Sequence, residues 1–254
     1  MQEPYYLAYE KRYKTVFETG AHRWGHAPDD AILYETLKKW VCANDLEGKS
    51  IIEFACGEGA CGVILSELGC KYHGVDISPT VVQRAKVALR DYQNASVDVF
   101  DMVIDTVTEK YDAALDCMGF HMLVTDNDRN RYLKNAYNAL NVGAPMLFFR
   151  QSYRNENHTE AAYKGIVHSF DEWKAISGID YDTPTLRKTN MGNGNVEMLI
   201  PLVPARANDR DGYIKEMEQA GFVVEEFMEM DESSAIPYSA SIFVRKGFDL
   251  RIAP

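Results

Sequence analysis

The chain has 254 residues, 46% of them hydrophobic, which is enough for one large globular domain or one domain with an insertion. A net charge of −11, from 38 acidic and 27 basic residues, opposes binding to a nucleic-acid backbone and favours a small-molecule ligand. No apolar run is long enough to span a membrane, the start lacks a secretory signal, and the five cysteines form neither a CxxC pair nor a metal pattern. These features predict a cytoplasmic protein with reduced thiols and with no metal, membrane or nucleic-acid partner; they leave its oligomeric state open.

The first 47 residues predict two helices and a loop. An aromatic stripe recurs every four residues along one face of the first helix, at Tyr5, Tyr9, Tyr13 and Phe17. Such a stripe either packs the helix on the body of the protein or covers a ligand cleft as a lid. Residues 20–26 form a glycine-rich, aromatic loop, and Asp29 and Asp30 open the second helix. We therefore predict a helical lid over residues 1–47.

Strands and helices then alternate with short connections, as in a parallel sheet with helices on both faces. The predicted strands are 50–54, 72–76, 96–101, 111–117 and 145–150, and the predicted helices are 62–69, 79–94 and 128–140. The alternation predicts an α/β fold with a doubly wound, mostly parallel sheet.

The alternation stops at residue 150. Residues 151–205 are polar and irregular, with a helix predicted at 171–176 and a hairpin that joins 186–189 to 196–200 through a turn at 191–195. A helix at 212–220 then precedes two strands at 222–230 and 239–246, which a short acidic turn makes antiparallel. The prediction is a seven-stranded sheet with an antiparallel C-terminal hairpin. Its core spans 48–150 and 206–254, and residues 151–205 form an insertion.

A glycine turn follows the first predicted strand. Gly57, Gly59 and Gly62 fit the pattern G-x-G-x-x-G, which is typical of dinucleotide sites but weak by itself. Asp76 ends the second strand, about 20 residues on, where a carboxylate can hold the two hydroxyls of a ribose. Glu53 precedes the turn and can attract a ligand's ammonium group, which a pyrophosphate site does not require; alternatively it pairs with a nearby amide or base.

These motifs together resemble those of the class I S-adenosylmethionine-dependent methyltransferases, whose sheet is Rossmann-like. The resemblance is strong over residues 48–150 and extends in outline over 206–246. Residues 53–59 resemble the family's first motif, 74–79 its second, 100–102 its third and 111–123 its fourth strand and pocket-lining exit. Ala55 stands where the family's first motif glycine is expected.

The resemblance implies S-adenosyl-L-methionine as the cofactor and assigns residues to it. The predicted cofactor-binding residues are Glu53, Ala55, Cys56, Gly57, Gly59, Asp76, Ile77, Asp101, Met102 and Asp116, with Tyr13 and Trp24 from the lid. Asp76 would hold the ribose, and Asp101 would face the adenine amino group.

Methyl transfer from a sulfonium is an in-line displacement, and a base is needed only when the nucleophile arrives protonated. His121 is the predicted base, with a structural histidine as the alternative. Cys56 and Cys117 have no activating group nearby in sequence.

The acceptor is predicted to be a small molecule methylated on oxygen, nitrogen or sulfur. The many tyrosines suit a cation, whereas Arg150, Arg187 and Arg206 suit a carboxylate or phosphate. The alternatives are a nucleotide-cofactor oxidoreductase and a non-catalytic S-adenosylmethionine-binding protein.

Overall fold

A computed structural model describes residues 3–190, 195–230 and 238–247, with the backbone alone at 188–190, 195 and 196. The helices in this part of the chain are α1 (Ala8–Glu18), α2 (Ala31–Ala43), α3 (Ala60–Glu67), α4 (Pro79–Ala88), α5 (Asp126–Ala139), α6 (Phe170–Ser177) and α7 (Arg210–Gln219). The strands are β1 (Ser50–Phe54), β2 (Lys71–Asp76), β3 (Ala95–Val99), β4 (Ala113–Cys117), β5 (Pro145–Ser152), β6 (Thr185–Asn190), β7 (Asn195–Ile200), β8 (Phe222–Glu229) and β9 (Ser239–Lys246).

Seven of these strands form one sheet in the order β3-β2-β1-β4-β5-β9-β8. The first five are mutually parallel, whereas β9 runs antiparallel to both β5 and β8. The prediction of a doubly wound, mostly parallel seven-stranded sheet with an antiparallel C-terminal hairpin is confirmed. The order reverses between β1 and β4, so the carboxyl ends of these two strands flank the crevice in which such sheets bind ligands.

Both faces of the sheet are covered by helices, as the apolar strand sequences require. Successive side chains of β1 point to opposite faces, so that Ile51 joins one buried cluster while Ile52 and Phe54 join the other. The predicted apolar face of α2 (Leu33, Leu37, Trp40 and Val41) is buried in the cluster that contains Ile51. Within the described ranges, none of the helices combines the length and the hydropathy that crossing a bilayer requires.

Two predicted helix boundaries shift for local reasons. Helix α3 begins before the predicted Gly62, because Gly59 at its N-cap has a φ of +83° that redirects the chain into the helix. Helix α4 ends at Ala88, well before the predicted Asn94. The Asn94 side chain donates instead to the backbone carbonyls of Ser66 (3.1 Å) and Cys70 (2.7 Å), which ties the start of β3 to the end of α3.

The segment after β5 contains more regular structure than its polar sequence suggests. Helix α6 forms near the predicted place, and β6 and β7 pair antiparallel as a separate two-stranded sheet. The predicted turn of this hairpin, Met191–Asn195, lies outside the described residues except for Asn195. The hairpin packs on α1 through a small buried cluster that includes Val16, Met198 and Ile200.

Arg129 on α5 is a buried cation that joins three parts of the fold. Its side chain is 1% exposed, and Nε and Nη2 each donate to one carboxylate oxygen of Glu216 on α7 at 2.7 Å. Nη1 donates to the carbonyls of Phe120 (3.3 Å) and Leu123 (2.9 Å), in the segment that follows β4. The bidentate geometry and the two carbonyls replace the water that the guanidinium loses on burial.

Replacing Arg129 by leucine would leave the Glu216 carboxylate and both carbonyls without their donor. We expect the free energy of unfolding, measured by urea denaturation, to fall by ~3–5 kcal/mol. Arg131→Leu, on the exposed side of the same helix, is the matched control and should change it by less than ~0.5 kcal/mol. A loss in Arg129→Leu no larger than in the control would contradict this role.

Candidate active site

The glycine turn after β1 has a backbone that ordinary residues avoid. Ala55, Gly57 and Gly59 have φ values of +54°, +53° and +83°. Ala55 therefore holds the left-handed conformation that a glycine would adopt freely, at a cost of ~1–2 kcal/mol. This explains why a glycine is expected at this position. The alanine keeps the turn's shape, and the turn brings the Gly57 amide to Asp76.

Glu53 is buried at the floor of the turn. It is 1% exposed, and its Oε2 accepts a hydrogen bond of 2.5 Å from the Tyr72 hydroxyl. Gly62 makes room for this tyrosine, since a Cβ there would lie 2.5 Å from its ring. Burial raises the pKa of Glu53 well above its usual range. The partner of Glu53 is thus the Tyr72 hydroxyl and not a nearby amide or base. Glu53 also lines the second of the two cavities described below.

Asp76 ends β2 and is tied to two backbone amides. One carboxylate oxygen accepts from Gly57 N and the other from Ser78 N, both at 2.9 Å. The side chain is 8% exposed, and burial raises its pKa to about 6. Because each carboxylate oxygen has further lone pairs, the group can still accept hydrogen bonds from a ligand in the adjoining cavity.

Two joined cavities lie at the carboxyl ends of the strands. The first, of about 50 Å³, is lined by Tyr6, Tyr9, Tyr13, Ala55, Asp76, Ile77, Phe100, Asp101, Met102, Val103, Met122 and Leu123. The second, of about 250 Å³, is lined by Tyr13, Trp24, Gly25, His26, Glu53, Ala55, Cys56, Gly57, Glu58, Ala60, Cys61, Cys117, Met118 and Met122. Tyr13, Ala55 and Met122 line both, so the cavities meet at the glycine turn.

The structure brings most of the predicted cofactor-binding residues to these cavities. Asp76, Ile77, Asp101 and Met102 line the first; Glu53, Cys56, Gly57 and Trp24 line the second; Tyr13 and Ala55 line both. Gly59 lines neither. A Cβ at Gly59 would lie 3.2 Å from the Cβ of Ala85, so this glycine serves the close packing of α3 on α4.

Asp116 and His121 also line neither cavity. Asp116 is fully buried and accepts four hydrogen bonds, from the amides of Gly119 and Phe120, the Tyr132 hydroxyl and the Gln151 side chain. The His121 ring lies 3.1 Å from Oε1 of Gln151, and burial lowers its pKa to about 4. The sequence placed both residues correctly at the end of β4, but their side chains turn toward the protein interior.

His26 reaches the second cavity from the loop before α2, a position that the sequence motifs did not single out. Its Nε2 lies 3.1 Å from Sδ of Met118, and its Nδ1 lies 3.1 Å from Nη1 of Arg150. Arg150 is 1% exposed and pairs with Asp30 at 2.7 Å. Burial disfavours the charged imidazole, but the neighbouring Cys117 outweighs this and raises the pKa of His26.

Cys117 differs from Cys56 in its surroundings. A hydrogen bond from the Cys61 thiol and the nearby charges of His26 and Arg150 lower the pKa of Cys117 to about 5, whereas burial raises that of Cys56. His26 and Arg150 are distant in sequence and meet the thiol only in the fold.

Carboxylates hold the N-terminal segment over the cavities. Glu10 on α1 accepts from the hydroxyls of Ser78 and Thr80 at the start of α4. Glu58, inside the glycine turn, accepts from the amides of Trp24 (2.7 Å) and Gly25 (2.9 Å). The segment thus contacts the glycine turn and the start of α4, which directly follows Asp76 and Ile77. The only sequence signal for Glu58 was a carboxylate between two motif glycines.

Residues of the N-terminal aromatic stripe both pack against the body of the protein and line the cavities. The Tyr9 hydroxyl donates to the carbonyl of Pro204 at 2.6 Å, which fastens α1 to the body, while Tyr9 and Tyr13 also line the cavities. The Tyr6 hydroxyl donates to Asp101 at 3.0 Å. Among the described residues, no group of His, Cys, Asp and Glu side chains is arranged to hold a metal ion.

Part of the chain is similar to known proteins. A family model described as a methyltransferase domain matches residues 52–146. The ribosomal protein L11 methyltransferase of Photobacterium profundum is 35% identical over 72 residues, which cover 28% of this chain and 21% of that protein. The matched region thus spans about a fifth of the length of this curated relative.

Solved structures share the fold over most of the chain. An S-adenosylmethionine-dependent methyltransferase from Clostridium acetobutylicum is 13% identical with a TM-score of 0.62, over 96% of this chain and 99% of that one. Magnesium protoporphyrin IX methyltransferase from Synechocystis, solved with bound S-adenosylhomocysteine, is 15% identical with a TM-score of 0.57, over 84% of this chain and 82% of that one. The family model thus identifies a methyltransferase domain at residues 52–146, and the chain shares the fold of solved S-adenosylmethionine-dependent methyltransferases, as the sequence motifs predicted.

Proposed function

We propose that the chain transfers a methyl group from S-adenosylmethionine to an oxygen, nitrogen or sulfur nucleophile of a small molecule. The observation that carries this proposal is the pair of joined cavities, which the glycine turn, Asp76 and Asp101 line in the order in which the family's motifs meet the cofactor. The acidic net charge of −11 supports a small acceptor over a nucleic acid. Residues 1–47 would act as the lid, 48–150 and 206–254 as the core, and 151–205 as the insertion that shapes the acceptor side.

The residues present fit the cofactor. Asp76 accepts hydrogen bonds from two backbone amides and keeps further lone pairs that can accept from ribose hydroxyls. Asp101 and Met102 line the same cavity, where they would contact the adenine. Glu53 in the second cavity is placed for an ammonium group. When bound, S-adenosylmethionine supplies an electrophilic methyl group on its sulfonium. The protein would then hold the acceptor in line with that group and shield it beneath Tyr13 and Trp24.

Binding of S-adenosylhomocysteine, measured by calorimetric titration, tests the site. Asp76→Ala removes the carboxylate that would accept hydrogen bonds from the ribose hydroxyls. Gly57→Val forces a β-branched residue into a φ of +53°. Both variants should therefore lose measurable binding. Asp91→Ala, an exposed carboxylate beyond α4, is the control and should bind like the unaltered chain. Full affinity in both site variants would refute the assignment.

The same titration separates the alternatives. Binding of NAD in place of S-adenosylhomocysteine would favour an oxidoreductase. A screen of amines, phenols, thiols, carboxylic acids and a basic peptide for S-adenosylhomocysteine release then identifies the acceptor. Cofactor binding without turnover on any of them would favour the non-catalytic alternative.

Cofactor affinity should also depend on the ionisation of Asp76. Its pKa of about 6 means that the carboxylate needed for ribose hydroxyls is lost as the pH falls below 6, and affinity should fall by up to about ten-fold per pH unit there. Since that pKa exceeds the usual 3.8, protonation of Asp76 itself stabilises the folded chain over this range and does not cause unfolding. Asp76→Asn should bind weakly at every pH, and a parallel fall in this variant would contradict the prediction.

His26 and His121 are the two candidates for a base. His26 faces the second cavity, whereas the His121 ring lies against Gln151 and outside both cavities. For an acceptor that arrives protonated, we expect His26→Asn to lower kcat by about 100-fold or more with little change in cofactor affinity. His121→Asn should retain most of its turnover, measured as S-adenosylhomocysteine release. The reverse ranking would return the role to His121.

A further inference from the structure

Arg12 on α1 lies beside the second cavity. Its guanidinium carbon is 4.6 Å from the centre of the Trp24 ring, and Trp24 lines that cavity. The next residue, Tyr13, lines both cavities. The half-buried Arg12 therefore occupies the place where the lid helix, the loop of residues 20–30 and the hairpin β6–β7 meet.

Arg12 has no anionic partner among the described residues. Within the described part of the chain, its guanidinium group forms no ion pair and no hydrogen bond, and its buried Nε has no acceptor. The three arginines that are buried in the described part of the chain, all more deeply than Arg12, each have a carboxylate: Arg129 pairs with Glu216 (2.7 Å), Arg150 with Asp30 (2.7 Å) and Arg206 with Asp126 (3.0 Å). An unpaired buried cation costs free energy. In a chain with a net charge of −11, a missing partner here calls for an explanation.

A second cation lies on the hairpin that packs on α1: Arg187 is paired in register with Met198, which shares a buried cluster with Val16 of α1. Arg187 on β6 is exposed and has no ion pair in the described part of the chain. Burial, and then the like charge of Arg187, lower the pKa of Arg12. The Tyr9 hydroxyl nearby already donates to Pro204. Two cations without an acid between them repel each other, and an anion that both could contact would remove that cost.

We propose that Arg12 and Arg187 form a binding site for an anionic group of the methyl acceptor, a carboxylate or a phosphate. This inference rests on the proposed methyl transfer. Guanidinium groups pair with both anions through two parallel hydrogen bonds. The sequence also suggested Arg150 and Arg206 as binding residues for an anion, but they already form ion pairs with Asp30 and Asp126. A cationic acceptor, which the tyrosines suggested, would be repelled here.

The direct test is a titration of benzoate and of inorganic phosphate into the protein saturated with S-adenosylhomocysteine, at constant ionic strength set with chloride. We expect at least one of the two anions to bind, and Arg12→Gln and Arg187→Gln to weaken it, the former by about ten-fold or more, as the loss of a charged hydrogen bond implies. Arg131→Gln, exposed on α5, is the control. Absence of binding by both anions to the unaltered chain would overturn the proposal.

A second measurement separates the acceptor's anion from the carboxylate of the cofactor itself. The affinities of S-adenosylhomocysteine and of 5′-methylthioadenosine, which lacks the amino-acid part, are compared in Arg12→Gln. We expect both to match the unaltered chain. Loss of affinity for S-adenosylhomocysteine alone would show that Arg12 serves the cofactor, and would overturn the proposal while leaving the methyltransferase assignment intact.

Turnover gives the third measurement, with an acceptor from the S-adenosylhomocysteine release screen. The anionic acceptor should be preferred over its neutral methyl ester, and Arg12→Gln should raise its KM by about ten-fold with little change in kcat. Equal use of acid and ester by the unaltered chain would contradict an anion site. Failure of that chain to bind S-adenosylhomocysteine would instead refute the proposed function.

Discussion

A carboxyl group that leaves water must find hydrogen bonds inside the protein, and this chain buries three of them at neighbouring strand ends. Glu53, Asp76 and Asp116 end β1, β2 and β4 in the sheet or lie next to the end. Each is satisfied differently: Glu53 by a tyrosine, Asp76 by two amides, and Asp116 by two amides, a tyrosine and a glutamine. The hydrogen bonds to Asp76 and Asp116 hold the backbone of the glycine turn and of the segment after β4 in place.

The same requirement connects the N-terminal segment to the motif region. Two further carboxylates, Glu10 and Glu58, accept donors across the boundary between the N-terminal segment and the motif region. Because Glu58 belongs to the glycine turn itself, the loop that carries Trp24 and His26 is fixed relative to the turn. A ligand in the second cavity would therefore contact Trp24 and His26 in positions that depend on the glycine turn.

The sequence predicted the sheet, the turn and the position of Asp76 at the end of β2, because each depends on a local pattern: apolar runs, glycines and a carboxylate at a strand end. It could not predict which way a buried side chain turns. Asp116 lies in β4 and His121 follows it, as expected, but Tyr132 and Gln151, from α5 and β5, draw them inward. His26 and Arg150 meet at Cys117 only because β5 lies beside β4 and the loop before α2 crosses above them. Contacts between residues that are distant in sequence produce no periodic pattern from which they could be predicted.

Glu53 gives the site a property that its position alone does not suggest. Since burial raises the pKa of its carboxyl well above the usual range, Glu53 holds a proton more strongly in the free protein than an exposed glutamate does. A cationic group that approaches it would favour the ionised form, and the proton would leave for the solvent. Uptake of a positively charged ligand would then change the pH of an unbuffered solution, and its heat of binding would vary with the ionisation enthalpy of the buffer.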